Sequence, residues 1–237
     1  MIQKTLSILA ILILPLVAYC QTDEKKETET EKPNAQTKPP IPIYITPYYE
    51  SEGTKIKVGE YSEKIAKADA NTILALSETL KKQRDNLRLE VMFVMAIRLY
   101  DLGHKDEGVY WYYTAQYRGR LFANILDKNK IGSLGSEPFE LRQAYGAFMQ
   151  LAGQYLNGYA FGDLPKLEKT LDKVLDEGKQ LPKFHELYPN VTFIEQEKWV
   201  EANQTISKGL TEMKQYIKEN SDSIREQRKK NGMDGKF

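Results

Sequence analysis

Apolar residues between about residue 64 and residue 228 recur at the three- and four-residue spacing of helices. Ile73, Leu76 and Leu80 define one face of a first helix that ends near residue 84, and Asp69 or Asn71 can cap its N-terminus. Five further helices are predicted over residues 87–102, 106–126, 136–156, 163–177 and 193–228. The pattern therefore predicts an all-α fold, an irregular multi-helix domain.

Two of these helices carry patterns that indicate how they are buried. Residues 87–102 are apolar on nearly every face, which indicates a helix at the centre of the core. Residues 193–228 carry one apolar stripe, which is typical of a helix with a single buried face. The stripe consists of Trp199, Ile206, Leu210, Met213, Ile217 and Ile224.

The residues before the helical part, 41–63, follow a different pattern. Apolar and polar residues alternate from Ile41 to Val58, with many Ile, Tyr and Thr, as they do in short strands. Pro42 and Pro47 cannot donate ladder hydrogen bonds, so an edge strand and an irregular extended stretch are both compatible with the sequence. We expect a short extended or irregular segment before the helical domain.

The first twenty residues have the pattern of an export signal. Lys4 is followed by an apolar run from Thr5 to Ala18, which as a helix would measure roughly 20 Å, shorter than the bilayer core of about 30 Å. Such a run is typical of a cleaved leader, so we expect residues 1–20 to be a signal peptide and the protein to be exported.

The site of cleavage is open between two alternatives. Val17-Ala18-Tyr19-Cys20 resembles a bacterial lipobox, in which Cys20 would be lipidated and would anchor the mature protein to a membrane. Tyr19 departs from the small residue that normally precedes that cysteine. Ordinary signal-peptidase cleavage after Cys20 is the alternative. We therefore expect a periplasmic protein or an outer-membrane-anchored lipoprotein of a bacterium.

Two segments lack the apolar residues needed for a core. Residues 21–40 are dense in Glu, Lys, Thr and Pro, which predicts a disordered linker between the leader and the folded part. Residues 229–237, after the last predicted helix, are expected to form a flexible tail. The helical domain is thus predicted to span residues 64–228.

Charge and composition exclude several classes of function. The chain has 34 Lys and Arg against 33 Asp and Glu, and removal of the leader with Lys4 leaves 33 of each. A nucleic-acid-binding protein normally carries a basic excess, so we expect no nucleic-acid partner. A single Cys excludes an intramolecular disulfide, and two His argue against a His-rich metal site.

One segment resembles a known repeat. Leu99 to Gln116 (LYDLGHKDEGVYWYYTAQ) resembles the turn and second helix of a tetratricopeptide unit, which covers about residues 87–122. Gly103 matches the turn and Asp106-Glu107 the helix start, whereas Gly108 replaces the usual Ala, so a small hole is expected there. The resemblance implies a helical hairpin. No second copy follows at a period near 34, which argues against a repeat array.

A pair of segments gives a second resemblance. Residues 111–118 followed by 157–163 resemble a pair found in an uncharacterised group of bacterial proteins, a resemblance that implies no activity.

The candidate binding residues lie in the predicted helix 106–126. Five aromatic residues in the eight positions 110–117 occupy its whole circumference, so we do not expect all of them to face one core. Tyr113, Gln116, Tyr117 and Arg120 share a face, and Tyr, Trp and Arg are frequent anchors of protein interfaces. The alternative is a core helix whose hydroxyl groups find internal hydrogen-bond partners.

A second candidate patch follows the next predicted helix. Tyr159 and Phe161 would stand at an exposed tip if the loop from Asn157 to Asp163 bound a partner. The alternative is structural, since Asp163 can cap the helix over 163–177.

Catalytic and cofactor motifs are missing from the sequence. It has no Gly-x-Ser-x-Gly elbow, and its only Cys lies in the leader. His104 is expected in a solvated turn, and His185 has no second His at metal-binding spacing, so we predict neither a metal site nor a cofactor.

These observations favour an exported cell-envelope protein that acts by binding another protein, such as an immunity factor or an envelope-assembly factor. Two alternatives remain open. One is a hydrolase whose carboxylate and Tyr groups come together from distant helices, because such a site leaves no short motif. The other is a small-ligand carrier with an aromatic pocket.

Overall fold

The computed structural model describes residues 58–237, which form nine α-helices within this range. They are α1 (Tyr61–Lys67), α2 (Ala70–Lys82), α3 (Leu89–Asp101), α4 (Lys105–Ile125), α5 (Glu137–Ala160), α6 (Leu164–Glu177), α7 (Phe184–Leu187), α8 (Glu197–Glu219) and α9 (Ser221–Lys230). Short 3₁₀ turns lie at Arg84–Asn86 and Lys128–Lys130. Over the described range there is no strand, only one isolated antiparallel bridge between Leu126 and Phe193. The predicted all-α fold is confirmed.

Several predictions concern residues before 58. The signal peptide, the lipidation of Cys20, the disordered linker 21–40 and the extended segment up to residue 57 lie outside the described residues. Of the segment predicted to be extended, residues 58–63 are described, and the last three of these belong to α1.

Helix α2 begins at the predicted cap. The Asp69 carboxylate accepts hydrogen bonds from the backbone N–H groups of Asn71 and Thr72, at 3.0 and 2.8 Å. The Thr72 hydroxyl completes a capping box by accepting from the Asp69 N–H at 2.9 Å. These bonds, that from the Thr72 backbone above all, lower the pKa of Asp69.

The single helix predicted over 193–228 is wrong, because the chain forms two helices there. α8 ends at Glu219 and α9 starts at Ser221, with Asn220 between them at φ −113° and ψ 20°. Ile224 in α9 still packs against the same core as Ile217 in α8. The apolar stripe therefore continues across the break, which is why the spacing of the stripe does not reveal it.

Helix α4 lies at the centre of the domain, in contact with α3, α5, α6 and α8. All of its residues from 108 to 119 are buried. Phe93 of α3 stacks on Phe148 of α5 with ring centroids 4.9 Å apart, and this stack packs beside the buried Tyr112 of α4. The main core thus joins α1–α6 with the C-terminal half of α8.

A second, smaller core lies at the C-terminal end of α4. Phe122 packs there against Phe184, Tyr188 and Phe193. Trp199 at the start of α8 contacts the rings of Phe184 and Phe193. The Tyr188 hydroxyl accepts from the backbone N–H at the start of α3 at 2.8 Å and donates to a carboxylate of that helix at 2.9 Å. The segment between α6 and α8 is therefore attached to α3 as well as to α4.

The hairpin of α3 and α4 turns at Gly103, whose φ of +88° favours glycine. The small hole expected at Gly108 is absent. A Cβ at this position would lie 2.9 Å from the backbone oxygen of Ala96 and 3.2 Å from the backbone nitrogen of Tyr100. The two helix backbones approach each other so closely that an alanine side chain has no room.

The residues after α9, predicted to be a flexible tail, make defined contacts. Asp234 binds the side chain of Arg228, with 3.1 Å between Nε and Oδ1. The Phe237 ring packs over Gly158 of α5 and meets the Tyr155 ring edge-on, with centroids 6.4 Å apart.

Candidate functional site

The aromatic residues at positions 110–117 are all buried. The expectation that they do not all face the core is wrong, because each is at most 5% exposed and four neighbouring helices pack around α4. Except for the buried Tyr112 hydroxyl, which has no hydrogen-bond partner among the described residues, their side-chain polar groups find distant partners, as the core-helix alternative requires. Tyr113 donates to Asn157 at 3.0 Å, Tyr117 to Asn203 at 3.0 Å and Tyr110 to Glu177 at 2.9 Å.

Burial has a chemical consequence for these tyrosines. It raises the pKa of Tyr110 and Tyr113 well above the ordinary value of a phenol, and for Tyr110 the charge of Glu177 adds to the rise. Their hydroxyl groups therefore stay protonated at neutral pH and act as hydrogen-bond donors, not as general bases.

The predicted contact face nevertheless lines a groove. Tyr113, Gln116, Tyr117 and Arg120 of α4 form one wall of a cavity of about 340 Å³, and residues 205–212 of α8 form the other. We refer to this cavity as the α4–α8 groove. The helix spacing that places four side chains on one face of α4 thus brings them together at one site. Their role in binding stays a prediction.

The groove is apolar at its base and charged at its edges. Ile206 and Leu210 of α8 are only partly buried and line the groove opposite the two tyrosines of α4. Lys208 and Glu212 lie at the edge, with a nitrogen–oxygen distance of 4.0 Å, and so largely balance each other's charge. An apolar floor with a few polar groups around it is the usual composition of a ligand site.

Gly209 faces this groove from the middle of α8. A glycine inside a helix costs about 1 kcal/mol relative to alanine. Neither close packing nor backbone conformation requires it here, since a Cβ at position 209 would meet nothing within 4 Å and its φ is not in the left-handed region. The missing side chain widens the groove.

The second predicted patch is not an exposed tip. Phe161 and Tyr159 are partly buried and pack against the main core. The Tyr159 hydroxyl donates to Asp106 at 2.9 Å, and Asp163 caps α6 by accepting from the Lys166 N–H at 3.1 Å, as the structural alternative predicts. The cavity beside Tyr159 measures about 20 Å³, too small for more than about one water molecule. Phe161 lies outside it and outside the α4–α8 groove.

A buried cluster of charges was not predicted. Arg118 is 4% exposed and binds Asp85 and the backbone oxygen of Arg84, the latter at 2.9 Å. Arg84 in turn binds Glu177, with 2.6 Å between Nη1 and Oε2. Burial lowers the pKa of Arg118, and Asp85 counters that effect. The adjacent residues Arg84 and Asp85 are far in sequence from Arg118 and Glu177, so no local pattern could indicate the cluster.

The cluster holds the 3₁₀ turn Arg84–Asn86 and α6 against α4. Its carboxylates are bound to guanidinium groups, and Arg118 lines neither the groove nor the cavity at Tyr159. We interpret it as a structural network.

The two histidines have structural surroundings. Nε2 of His104 lies 2.5 Å from the backbone oxygen of Ala70, which connects the α3–α4 turn to the start of α2. His185 stacks on Trp199 with ring centroids 4.8 Å apart. Within residues 58–237, no cluster of three or more His, Cys, Asp or Glu is arranged to hold a metal ion. No helix in this part of the chain is both long enough and apolar enough to cross a membrane.

No protein-family model matches the chain, and no solved structure matches it. An uncharacterised protein of Haemophilus influenzae is 32% identical to it over 130 residues. The aligned part is 53% of this chain and 48% of the relative, so the chain spans about half of the relative's length. The resemblance of α3 and α4 to a tetratricopeptide unit stays a prediction.

Proposed function

We propose that this protein is an exported cell-envelope protein that acts by binding an apolar segment of a protein partner in the α4–α8 groove. The observation that carries the proposal is the groove itself. Four side chains predicted from the sequence as contact residues line it together with two partly buried apolar residues, Ile206 and Leu210. An immunity factor and an envelope-assembly factor both belong to this class of function.

The shape of the groove supports a binding role. Tyr113 and Tyr117 form rigid aromatic walls, because their hydroxyl groups are held by Asn157 and Asn203. Aromatic residues fixed in this way lose little side-chain entropy on binding and are frequent anchors of interfaces. A partner side chain entering the groove would therefore meet a preformed surface.

The hydrolase alternative finds no support at this site. Acid–base hydrolysis by carboxylates needs two such groups close together, and Glu212 is the only carboxylate among the residues that line the groove. The ligand-carrier alternative has one observation in its favour. The cavity volume of about 340 Å³ falls within the range of about 300–1,000 Å³ common for small-molecule sites.

Site-specific photo-crosslinking in the native host tests the proposal. A photoreactive amino acid replaces Lys208, whose side chain is 79% exposed at the groove edge, and a control replaces the exposed Lys169 on α6. We expect position 208, but not position 169, to crosslink one protein. Mass spectrometry of the N-terminal peptide in the same experiment tests the proposed lipid on Cys20.

A matched pair of variants connects any crosslink to the groove. Gly209→Leu places a side chain in the groove, whereas Gly146→Leu adds the same side chain at an exposed position of α5 with nothing within 4 Å. We expect the first variant to lose the crosslinked protein and the second to keep it. Both variants should show the helical circular dichroism of the wild type, which establishes that they fold. An identical set of crosslinked proteins from positions 208 and 169 would refute the proposal.

A further inference from the structure

The α4–α8 groove contains one positive charge without an acidic partner in the described part of the chain. Arg120 is partly buried in the groove wall. No carboxylate of residues 58–237 lies within 4.0 Å of its guanidinium nitrogens, although Lys208 nearby is balanced by Glu212. The groove therefore presents a net charge of about +1 at Arg120.

The neighbours of Arg120 are neutral phenols. The charge of Arg120 acts on the hydroxyl of Tyr145, where it counters in part the rise in pKa that burial gives this group. The same charge also counters a part of the rise in the pKa of Tyr112 and Tyr113. A guanidinium among neutral aromatic rings is weakly solvated and attracts an anion more strongly than one in open water.

The apolar part of the groove lies next to this charge. Tyr117 and Arg120 are neighbours on α4, and Ile206 and Leu210 face them from α8. A ligand that filled the groove would therefore place an apolar group against Ile206 and Leu210 and its polar end at Arg120.

We propose that the partner segment bound in the groove carries a carboxylate next to an aromatic or aliphatic side chain, and that Arg120 binds this carboxylate. The inference rests on the proposed function and specifies the chemistry of the partner. A planar guanidinium accepts a carboxylate through two parallel hydrogen bonds, so Arg120 selects an acidic group over a neutral one.

Two fragments that differ in charge alone test this inference. 3-Phenylpropionate combines an aromatic group with a carboxylate, and 3-phenylpropionamide is its neutral analogue of nearly equal shape. Titration of the ¹⁵N-labelled protein, followed by the amide chemical shifts of α4 and α8, gives both dissociation constants. We expect the carboxylate to bind about fivefold more tightly than the amide, near the upper end of what a partly exposed ion pair contributes.

Two variants assign the preference to one residue. Arg120→Gln is expected to abolish the fivefold preference while leaving the binding of the amide unchanged. Lys169→Gln, which removes an exposed cation of α6 that does not line the groove, is expected to retain it. An equal affinity of the wild type for both fragments would overturn the role of Arg120 and leave the groove as a binding site.

Failure of the proposed function has a different signature. If neither fragment shifts the resonances of α4 and α8, the groove is not a ligand site, and both proposals fall. A third measurement, native mass spectrometry of protein purified from its host, separates a protein partner from a small carboxylate. A stoichiometric bound small molecule there would overturn the assignment to a protein segment.

Discussion

Replacement of Gly108 by alanine is expected to destabilise the protein, although alanine is the better helix former. The added Cβ would lie 2.9 Å from the Ala96 backbone oxygen, 3.2 Å from the Tyr100 backbone nitrogen and 3.4 Å from the Tyr100 Cβ. Two of these three atoms belong to the backbone of α3 and cannot rotate away. The contact can be relieved only if α3 and α4 move apart.

The magnitude follows from two opposing contributions. Overpacking of a well-packed interior costs about 1–3 kcal/mol, and we expect the upper half of this range because the obstacle is backbone. The higher helix propensity of alanine offsets about 1 kcal/mol of this cost. The free energy of unfolding should therefore decrease by about 1–2 kcal/mol, which for a domain of this size lowers the melting temperature by about 2–8 °C.

Gly146→Ala is the matched control, since position 146 is exposed in α5 and a Cβ there meets nothing within 4 Å. This variant gains the higher helix propensity of alanine without a steric clash, so its free energy of unfolding should exceed that of the wild type by about 0.5–1 kcal/mol. Urea unfolding followed by circular dichroism at 222 nm measures both variants. If Gly108→Ala proved as stable as Gly146→Ala, the close approach of α3 and α4 would not limit the side chain at position 108.

Three further predictions concern buried polar groups. Asp85→Ala should lower the free energy of unfolding by about 3 kcal/mol, because it leaves the buried guanidinium of Arg118 without its carboxylate. Asp172→Ala removes a carboxylate from an exposed ion pair and should lower the same free energy by less than about 1 kcal/mol. Urea titration of both variants measures the difference. Burial, with a smaller contribution from the neighbouring Asp101, raises the pKa of Tyr100 to about 12. An unfolded phenol ionises near pH 10, so the contribution of this group to stability should be complete below pH 10 and should fall between pH 10 and 12 by at most about 1.4 kcal/mol per pH unit. Urea unfolding of the wild type and of Tyr100→Phe between pH 8 and 12 measures this contribution as the difference between their slopes, and parallel slopes would contradict it. Tyr188→Phe should cost about 1–3 kcal/mol in thermal unfolding, because its hydroxyl bonds two groups of α3, while Tyr216→Phe at an exposed site should cost almost nothing.

The sequence predicts the long helices well because each has a continuous apolar face. The short helices lack this signal: α1 buries only Ile65 and α7 only Phe184. The break at Asn220 is also hidden, since Ile217 and Ile224 keep the spacing of one continuous stripe. Periodicity reports which residues face the core and is insensitive to a short interruption between two helices that face the same core.

The candidate site shows a different limit of sequence reasoning. The shared face of Tyr113, Gln116, Tyr117 and Arg120 follows from helix geometry and could be predicted. The burial of that face could not, because the groups that satisfy the tyrosine hydroxyls, such as Asn157 and Asn203, come from helices distant in the sequence. A tyrosine-rich helix has the same local pattern whether its hydroxyl groups meet solvent or a distant amide.

The position of α8 explains why the groove stays open. Trp199 fixes the start of this helix in the smaller core, and Met213 fixes its C-terminal half in the main core. Between them, Asn203 accepts from Tyr117 and donates to the Gly178 oxygen at 2.8 Å, whereas Gly209 faces open space. From Asn203 to Met213 the helix runs about 15 Å between fixed points, and closing the groove would require bending an intact helix. The cavity is therefore a consequence of how the two cores share one helix. Because the cavity is already open, the binding of a ligand requires no rearrangement of the protein and no free energy is lost to one.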